Sequence, residues 1–275
     1  METPDALGII AGSGAYPGRV ARSARRTGVR KIIAAAFTGE TNTDLVNDVD
    51  EIEWMRVGQL GRLLNCFRSA GVRHAMMAGQ IAPGNLFSLR PDMKALVLLA
   101  RLKRRNAETI FGAIADELSF IGIELLPAFT FLEDDLASHG LIVGREPTRR
   151  EKADIVFGFR IAKELSRLDI GQTVIIRNGT VLAVEAMEGT NDAIKRGGAL
   201  AGKGAVMVKV SKPNQDMRFD VPVIGPETMR IAAEANVRVI AVETGRTLLL
   251  EKEEMVSSAA HLNLTVVGRE LQTTI

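Results

Sequence analysis

The stretch KPNQDMRFDVPVIG, residues 212–225, gathers two carboxylates, Asp216 and Asp220, two cations, Lys212 and Arg218, and two prolines. Pro213 and Pro222 stiffen the backbone, and Lys212 and Arg218 offer charge to phosphate oxygens. Acids held beside such cations suit metal-assisted phosphoryl chemistry, or else form a solvated loop with local ion pairs. A second group, VEAMEGTND at 184–192, sets Glu185 at the end of an apolar strand, where a carboxylate is costly unless paired or holding a cation. Glu188 and Asp192 stand close by. Gly189, Thr190 and Asp192 lead into a helix, which suits both capping and the binding of an anionic group.

A third group is backbone rather than side chain. In IAGSGAYPG, Gly12 and Gly14 follow a strand and precede a helix, so amides and a helix N-terminus face a phosphate there, or the glycines only make a tight turn. The third glycine of a dinucleotide fingerprint would fall at Pro17, which favours nucleotide binding without NAD, although Glu40 lies where a ribose-binding acid sits. Gly79 and Gln80 in MAGQI end another strand and add backbone to the same carboxyl-end crevice, or form a simple turn. Other chemistries lack their residues. His74, His139 and His261 are scattered without zinc-hydrolase spacing, and no GxSxG or GxxxxGK[ST] occurs. The lone Cys66, in GQLGRLLNCFRSAGV, reads as core packing on an amphipathic helix. Carboxylates must therefore carry any catalysis.

The elements that position these groups divide in two. Residues 7–124 alternate short apolar strands (LGIIAG, KIIAAAF, EIEWMRV, RHAMMAG) with helical segments, the grammar of a Rossmann-like parallel α/β sheet. Two further helical segments, PDMKALVLLARLKRR and NAETIFGAIADELSFIG, precede the short strand IELLPA. REPTRREKAD at 145–154, charged and aperiodic, reads as a linker, giving domains 1–144 and 145–275. The second domain is mixed α/β with antiparallel strands, because Asn178-Gly179 between two β-rich runs signals a hairpin. Helices near 190–201 and from Pro226, and the strands AVMVKV, RVIAVE and LTVVG, complete it.

Composition narrows the class. The 275 residues suffice for two domains, and 46% hydrophobic with 25% charged residues is ordinary globular composition. Lys and Arg exceed Asp and Glu only by 35 to 33 and aromatics are 4%, so nucleic acid is not an expected partner. METPDALGIIAGSG has no signal-peptide pattern, and ALVLLARL at 95–102 is far short of the roughly 20 residues of a spanning helix. A cytoplasmic protein is expected.

LGIIAGSGAYP, MAGQI, RLDIGQTVIIRNGTVLAVEAMEGTND, VKVSKPNQDMRFDVPVIG and ETGRTLLL, in this order over nearly the whole chain, resemble the UDP-2,3-diacylglucosamine pyrophosphatases of the LpxI type. The resemblance implies a Mg²⁺-dependent hydrolase that splits UDP-2,3-diacylglucosamine into UMP and 2,3-diacylglucosamine 1-phosphate in lipid A assembly. It implies UDP on the N-terminal half and the acylated sugar phosphate on the C-terminal half. The family's essential aspartate lies in a (V/F)-D-(L/V)-P-x-I-G segment, matched here by FDVPVIG, which points to Asp220. Gly12, Ser13, Gly14, Gly79, Gln80, Thr190, Lys212 and Arg218 then become the substrate-binding candidates, and Glu185, Glu188 and Asp192 the metal candidates. Where the family more often has three glycines, this chain has Gly12-Ser13-Gly14, which keeps the amide and adds a hydroxyl. Motifs of the His- and Asp-rich two-metal hydrolases of the same substrate are absent, as is a Nudix helix. Expected partners are the UDP-linked lipid, its lipid product, and a second copy of the chain in a homodimer. A peripheral contact with the inner face of the inner membrane is also expected, for which the basic RLKRR at 101–105 is a candidate, though a solvated helix end is the plainer reading. Two rivals remain: a nucleotide-dependent oxidoreductase using Gly12, Gly14 and Glu40, and a non-catalytic nucleotide-sugar sensor.

Overall fold

The computed structural model describes residues 3–81, 91–104, 106–202 and 204–270. The chain forms two compact units: one takes the chain up to Glu133 together with Asp216–Asp220, the other takes Asp134–Gln215 and the chain from Val221 onward.

In the first unit the apolar runs become β1 (Ala6–Ala11), β2 (Lys31–Phe37), β3 (Glu51–Met55), β4 (His74–Ala78) and β5 (Glu124–Leu125), all parallel, in the order β3-β2-β1-β4-β5. Helices α1 (Tyr16–Arg26) and α2 (Leu60–Ser69) connect β1 to β2 and β3 to β4, and α3 (Met93–Arg101) and α4 (Ala107–Phe120) precede β5. The steps from β1 to β2 and from β3 to β4 travel in opposite directions across the sheet. Right-handed crossovers therefore put α1 on one face and α2 on the other. The α2 face carries a core of Ile10, Phe37, Phe67, Met77, Leu98 and Leu118. Gly8 admits Phe67, whose ring atoms would lie 3.0 Å from a Cβ placed there. Strand order reverses between β1 and β4, and ligands of such sheets bind at the carboxyl ends beside that reversal.

The second unit holds β6 (Gly140–Val143), α5 (Arg149–Arg167), β7 (Thr173–Arg177), β8 (Thr180–Val184), α6 (Thr190–Ala201), β9 (Ala205–Lys209), β10 (Val223–Ile224), α7 (Pro226–Glu234), β11 (Val237–Glu243), β12 (Leu248–Leu249), α8 (Lys252–Leu262) and β13 (Thr265–Arg269). Its main sheet runs β6-β13-β11-β9-β7-β8, with β9, β11 and β13 parallel and β6, β7 and β8 antiparallel to their neighbours. The expected hairpin turns at Asn178-Gly179, both at positive φ. Asp154 of α5 pins it by accepting from the Asn178 and Gly179 amides at 2.8 and 2.7 Å.

Asp154 belongs to the stretch expected as a linker, and that expectation is corrected. Residues 145–154 hold the start of α5, closed by a capping box in which Thr148 and Glu151 bond each other's backbone amides. The charge density that suggested a boundary belongs to the solvated face. Ile155, Phe159 and Ala162 supply the buried one. β6, inside the span expected as the first domain, pairs with β13 of the second sheet.

α6 lies close against its neighbours. A Cβ on Gly198 would fall 2.0 Å from the Ala235 carbonyl oxygen, at the end of α7. Alanine gains ~1 kcal/mol over glycine in a free helix. Here a backbone atom fills the space, so Gly198→Ala is expected to destabilise by ~1–3 kcal/mol, read as a fall in Tm; a higher Tm overturns the packing argument. At the α5 start, hydrogen bonding by Arg145 holds the Glu151 carboxyl down to about 2. That contribution is present above the unfolded carboxyl value of about 4.3 and fades as pH falls towards about 2. Glu151→Gln should thus cost ~1 kcal/mol at neutral pH, with the Tm gap to wild type narrowing steadily on acidification below about pH 4.

Candidate functional site

β1 and β4 end side by side, and the segments that follow close on one another. Gly12 N–H donates to the Ala78 carbonyl at 2.7 Å, and Ser13 N–H and Oγ both donate to the Gln80 carbonyl at 2.7 and 2.9 Å. A Cβ on Gly12 would sit 2.5 Å from the Gln80 oxygen, and one on Gly79, at φ +92°, 2.5 Å from the Ser13 oxygen. Gly12, Ser13, Gly79 and Gln80 are thus brought together, and close backbone approach explains both glycines. Gly14 differs. It stands at φ +85° with open space around it and leads into the N-terminus of α1, which has no side-chain cap and carries Pro17 in its first turn. Across from Gly14, Ala15 and Gly18 stand Thr41, Asn42 and Asp48, the two sides bounding a polar cleft. Thr41 fixes the far side by donating to the Ala11 carbonyl and accepting from the Phe37 amide. Glu40 lies in the turn after β2, its amide bonded to the Phe37 carbonyl at 3.0 Å.

Asp216–Asp220 belongs to the same unit. Met217 O accepts from Ala128 N–H at 2.7 Å, and the Ala128 carbonyl accepts from the Tyr16 hydroxyl, two residues beyond Gly14. Burial pushes the Tyr16 phenol up, keeping that proton in place. The loop curls on itself: the Phe219 and Asp220 amides donate to Asp216 O at 3.2 and 2.9 Å. Arg218 grips the Asp216 carboxylate through Nε at 2.9 Å and Nη2 at 2.6 Å, holding it below the usual carboxylate range. Phe219 packs its ring 5.9 Å from that of Phe111 on α4. The Asp220 carboxylate, half-buried, makes no hydrogen bond or ion pair among the described residues. Of the two acids in this loop one is engaged and one is open.

In the second unit the polar candidates gather where β9 and β11 end. Glu185, 8% exposed, accepts from the Thr190 hydroxyl at 2.6 Å, and Thr190 accepts from Lys209, 4% exposed, at 2.7 Å. Burial alone would raise the Glu185 carboxyl; the Lys209 charge and the Thr190 hydroxyl hold it below its ordinary value. Beside them Glu243 accepts from Lys163, Ser211 N–H and Ser211 Oγ at 2.7, 2.7 and 2.8 Å. Sequence reasoning missed this cluster, although Glu243 ends an apolar strand just as Glu185 does. Gln172 Oε1, Gln215 Nε2, Thr244 Oγ1 and Thr247 Oγ1 are buried there without a partner among the described residues. Buried polar atoms without partners are uncommon, and a polar ligand is one way of satisfying them.

The remaining candidates are placed plainly. Glu188 pairs with Arg196, Asp192 with Lys195 at 2.9 Å, and Lys212 with Asp169. With Glu185 held by Thr190 and Lys209, each of the three acids nominated for a metal already faces a protein cation. Among the described residues no three His, Cys, Asp or Glu side chains converge on a metal position. His74 lies 3.7 Å from Glu124, and His139 and His261 are exposed. Burial pushes the Cys66 thiol up to about 11, in keeping with its packing role. Of the basic run, Arg101 ends α3 and Lys103 and Arg104 follow, while Arg105 lies outside the described residues.

Comparison with known proteins covers both units. Residues 6–135 match the model of the LpxI N-terminal domain and residues 138–267 that of the LpxI C-terminal domain. The UDP-2,3-diacylglucosamine pyrophosphatase LpxI of Caulobacter vibrioides is 30% identical over 278 residues, a span of 97% of this chain and 98% of that protein. Together with a proline-flanked loop that leaves one carboxylate open, these matches show that the chain belongs to the LpxI family.

Proposed function

We propose that this hydrolase of the LpxI family cleaves the pyrophosphate of UDP-2,3-diacylglucosamine to UMP and 2,3-diacylglucosamine 1-phosphate, a step of lipid A synthesis. The family match supplies the substrate, and one observation carries the chemistry: within FDVPVIG, Arg218 engages Asp216 and leaves the Asp220 carboxylate open. In this reading Asp220 orients the attacking water and takes its proton at a carboxylate oxygen. The water oxygen bonds to one phosphorus while the bridging oxygen departs with the other half. Gly14 and the uncapped start of α1 offer amides and a helix N-terminus to the diphosphate of UDP. In the second unit Lys209 and the unpartnered Gln215, Thr244 and Thr247 atoms suit the sugar phosphate. Lys212 and Arg218, engaged by Asp169 and Asp216, position loop segments rather than clamp phosphate.

The family reading includes Mg²⁺. Glu185, Glu188 and Asp192 do not fit as its ligands, because each is engaged by a protein cation. Asp220 does fit, since Mg²⁺ usually takes one or two protein carboxylates together with phosphate oxygens and needs no preassembled cage. Bound there, the ion would neutralise pyrophosphate charge. An oxidoreductase reading is disfavoured by Pro17, which occupies the first turn of α1 where a dinucleotide fingerprint has glycine.

No helix among the described residues is long and apolar enough to cross a membrane. Peripheral contact with an anionic surface is supported by α3, which exposes Met93, Leu96 and Val97 and ends in Arg101, with Lys103 and Arg104 beyond.

Three measurements test these assignments. Asp220→Asn is expected to lower single-turnover UMP release by about 10²–10⁴-fold with a much smaller change in substrate affinity and an unchanged Tm. Wild-type turnover should vanish in excess EDTA and return with Mg²⁺. A folded Asp220→Asn variant at near-normal rate returns the loop to a structural role, and full activity in EDTA removes the metal. Sedimentation with vesicles containing phosphatidylglycerol should carry the protein down, less so at raised salt or after Leu96→Ser with Val97→Ser. Equal pelleting by the double variant removes α3 as the contact.

A further inference from the structure

On the sheet face opposite α1 the first unit holds an apolar pocket with a cavity volume of about 80 Å³. Ile10 of β1 and Met77 of β4 form its floor, Ala95 and Leu98 of α3 one wall, and Phe111 and Ile114 of α4 another. Among the described residues no charged side chain lines it. Protein interiors are ordinarily close-packed, so a dry space between the apolar faces of three layers, with room for a few methylenes, suggests that the end of an apolar group enters it. Its chemistry is that of a saturated chain, because the walls offer almost nothing to hydrogen-bond. Its place links it to the candidate site through two neighbours. Ile10 lies two residues before Gly12, and the Phe111 ring contacts Phe219, adjacent to Asp220. An apolar group held there would belong to a ligand whose polar end meets the glycine segments and the Asp220 loop. α3 is two-faced in the matching way: Ala95 and Leu98 line the pocket while Leu96 and Val97 are exposed.

We propose that this pocket binds the end of one acyl chain of the lipid substrate, so that the first unit, expected from the family resemblance to take only the UDP end, also reads chain length. The inference rests on the hydrolase reading above and assigns to Ala95, Leu98 and Ile114 a role in specificity. Each methylene buried in the pocket adds about fourfold to binding, the equivalent of ~0.8 kcal/mol.

The test uses the full chain, a series of UDP-2,3-diacylglucosamines of increasing acyl length, and two pocket-filling variants, Ala95→Phe and Leu98→Trp, each checked by thermal melting. Wild-type kcat/KM should rise about fourfold per methylene until the pocket is filled. In either folded variant the longest substrates should lose at least about tenfold while the shortest are little changed, which moves the optimum to shorter chains. Dodecanoic acid titrated into wild type by calorimetry gives a readout without turnover, and its binding should weaken about tenfold or more in the variants. Fatty-acid binding lost on filling, with no hydrolysis of any UDP-sugar, upholds the pocket and rejects the hydrolase reading. Hydrolysis with the same chain-length profile in wild type and a folded variant overturns the pocket, as does absence of dodecanoic acid binding to wild type.

Discussion

The closure of Gly12 on Gly79 is the contact on which the first unit's working edge depends. Two parallel strands that diverge at their carboxyl ends would leave a gap of variable width. Here each backbone enters the space that the other's missing Cβ vacates, at 2.5 Å on both sides. The reciprocal bonding of Ser13 and Gln80 then sets the spacing. Everything proposed for this edge inherits that geometry: the direction of Gly14 into α1, the place of Tyr16, and through the Tyr16–Ala128–Met217 relay the seat of the loop that carries Asp220. A glycine pair is therefore a mechanical joint here as much as an anion cradle, and any substitution at Gly12 would disturb the joint before it disturbed a ligand.

Charge is treated differently on the two units. In the second, buried acids come with cations of their own, Glu185 with the buried Lys209 and Glu243 with the half-buried Lys163, bridged by hydroxyls of Thr190 and Ser211. Such pairs add little net stability because desolvation offsets attraction, but removal of one partner leaves a buried charge and costs ~3–5 kcal/mol. They fix the ends of β8, β9 and β11 relative to one another and leave unpartnered amide and hydroxyl atoms beside a rigid polar floor. The loop at 216–220 does the reverse: it satisfies Asp216 locally with Arg218 and holds a second carboxylate half-buried and open. An acid so placed is a cost to folding unless something else uses it.

Much of the fold was legible because its signals are local. Continuous apolar runs at β1, β2 and β4 mark strands buried on both faces, and Asn178-Gly179 marks its own turn. α5 was missed because its first turns are dense in charge, and the apolar spacing of Ile155, Phe159 and Ala162 emerges only beyond them. β6 is short and gains its identity only by pairing with β13, far away in sequence. The candidate site divides along the same line. The proline-flanked loop and the anomaly of Glu185 at a strand end are readable from neighbours in the chain. That the cation answering Glu185 is Lys209 rather than a metal depends on β7 bringing two strands into register, with Thr173 opposite Lys209 and its carbonyl accepting from the Glu185 amide. Spacing along the sequence does not encode that.

The alternation of a strand gives the first unit two surfaces of opposite character at one edge. Along β1, Ile10 faces the apolar pocket, while Ala11 and the glycines that follow serve the side on which α1 begins. On that side the polar cleft has Thr41, Asn42 and Asp48. On the other the described lining is apolar but for Gln59. A ligand with a diphosphate at one end and alkyl chains at the other needs such a division over a few ångströms, and a parallel sheet supplies it at no extra cost, since successive residues of each strand already point to opposite faces. The pairing of Phe219 with Phe111 then ties the open carboxylate to the apolar side.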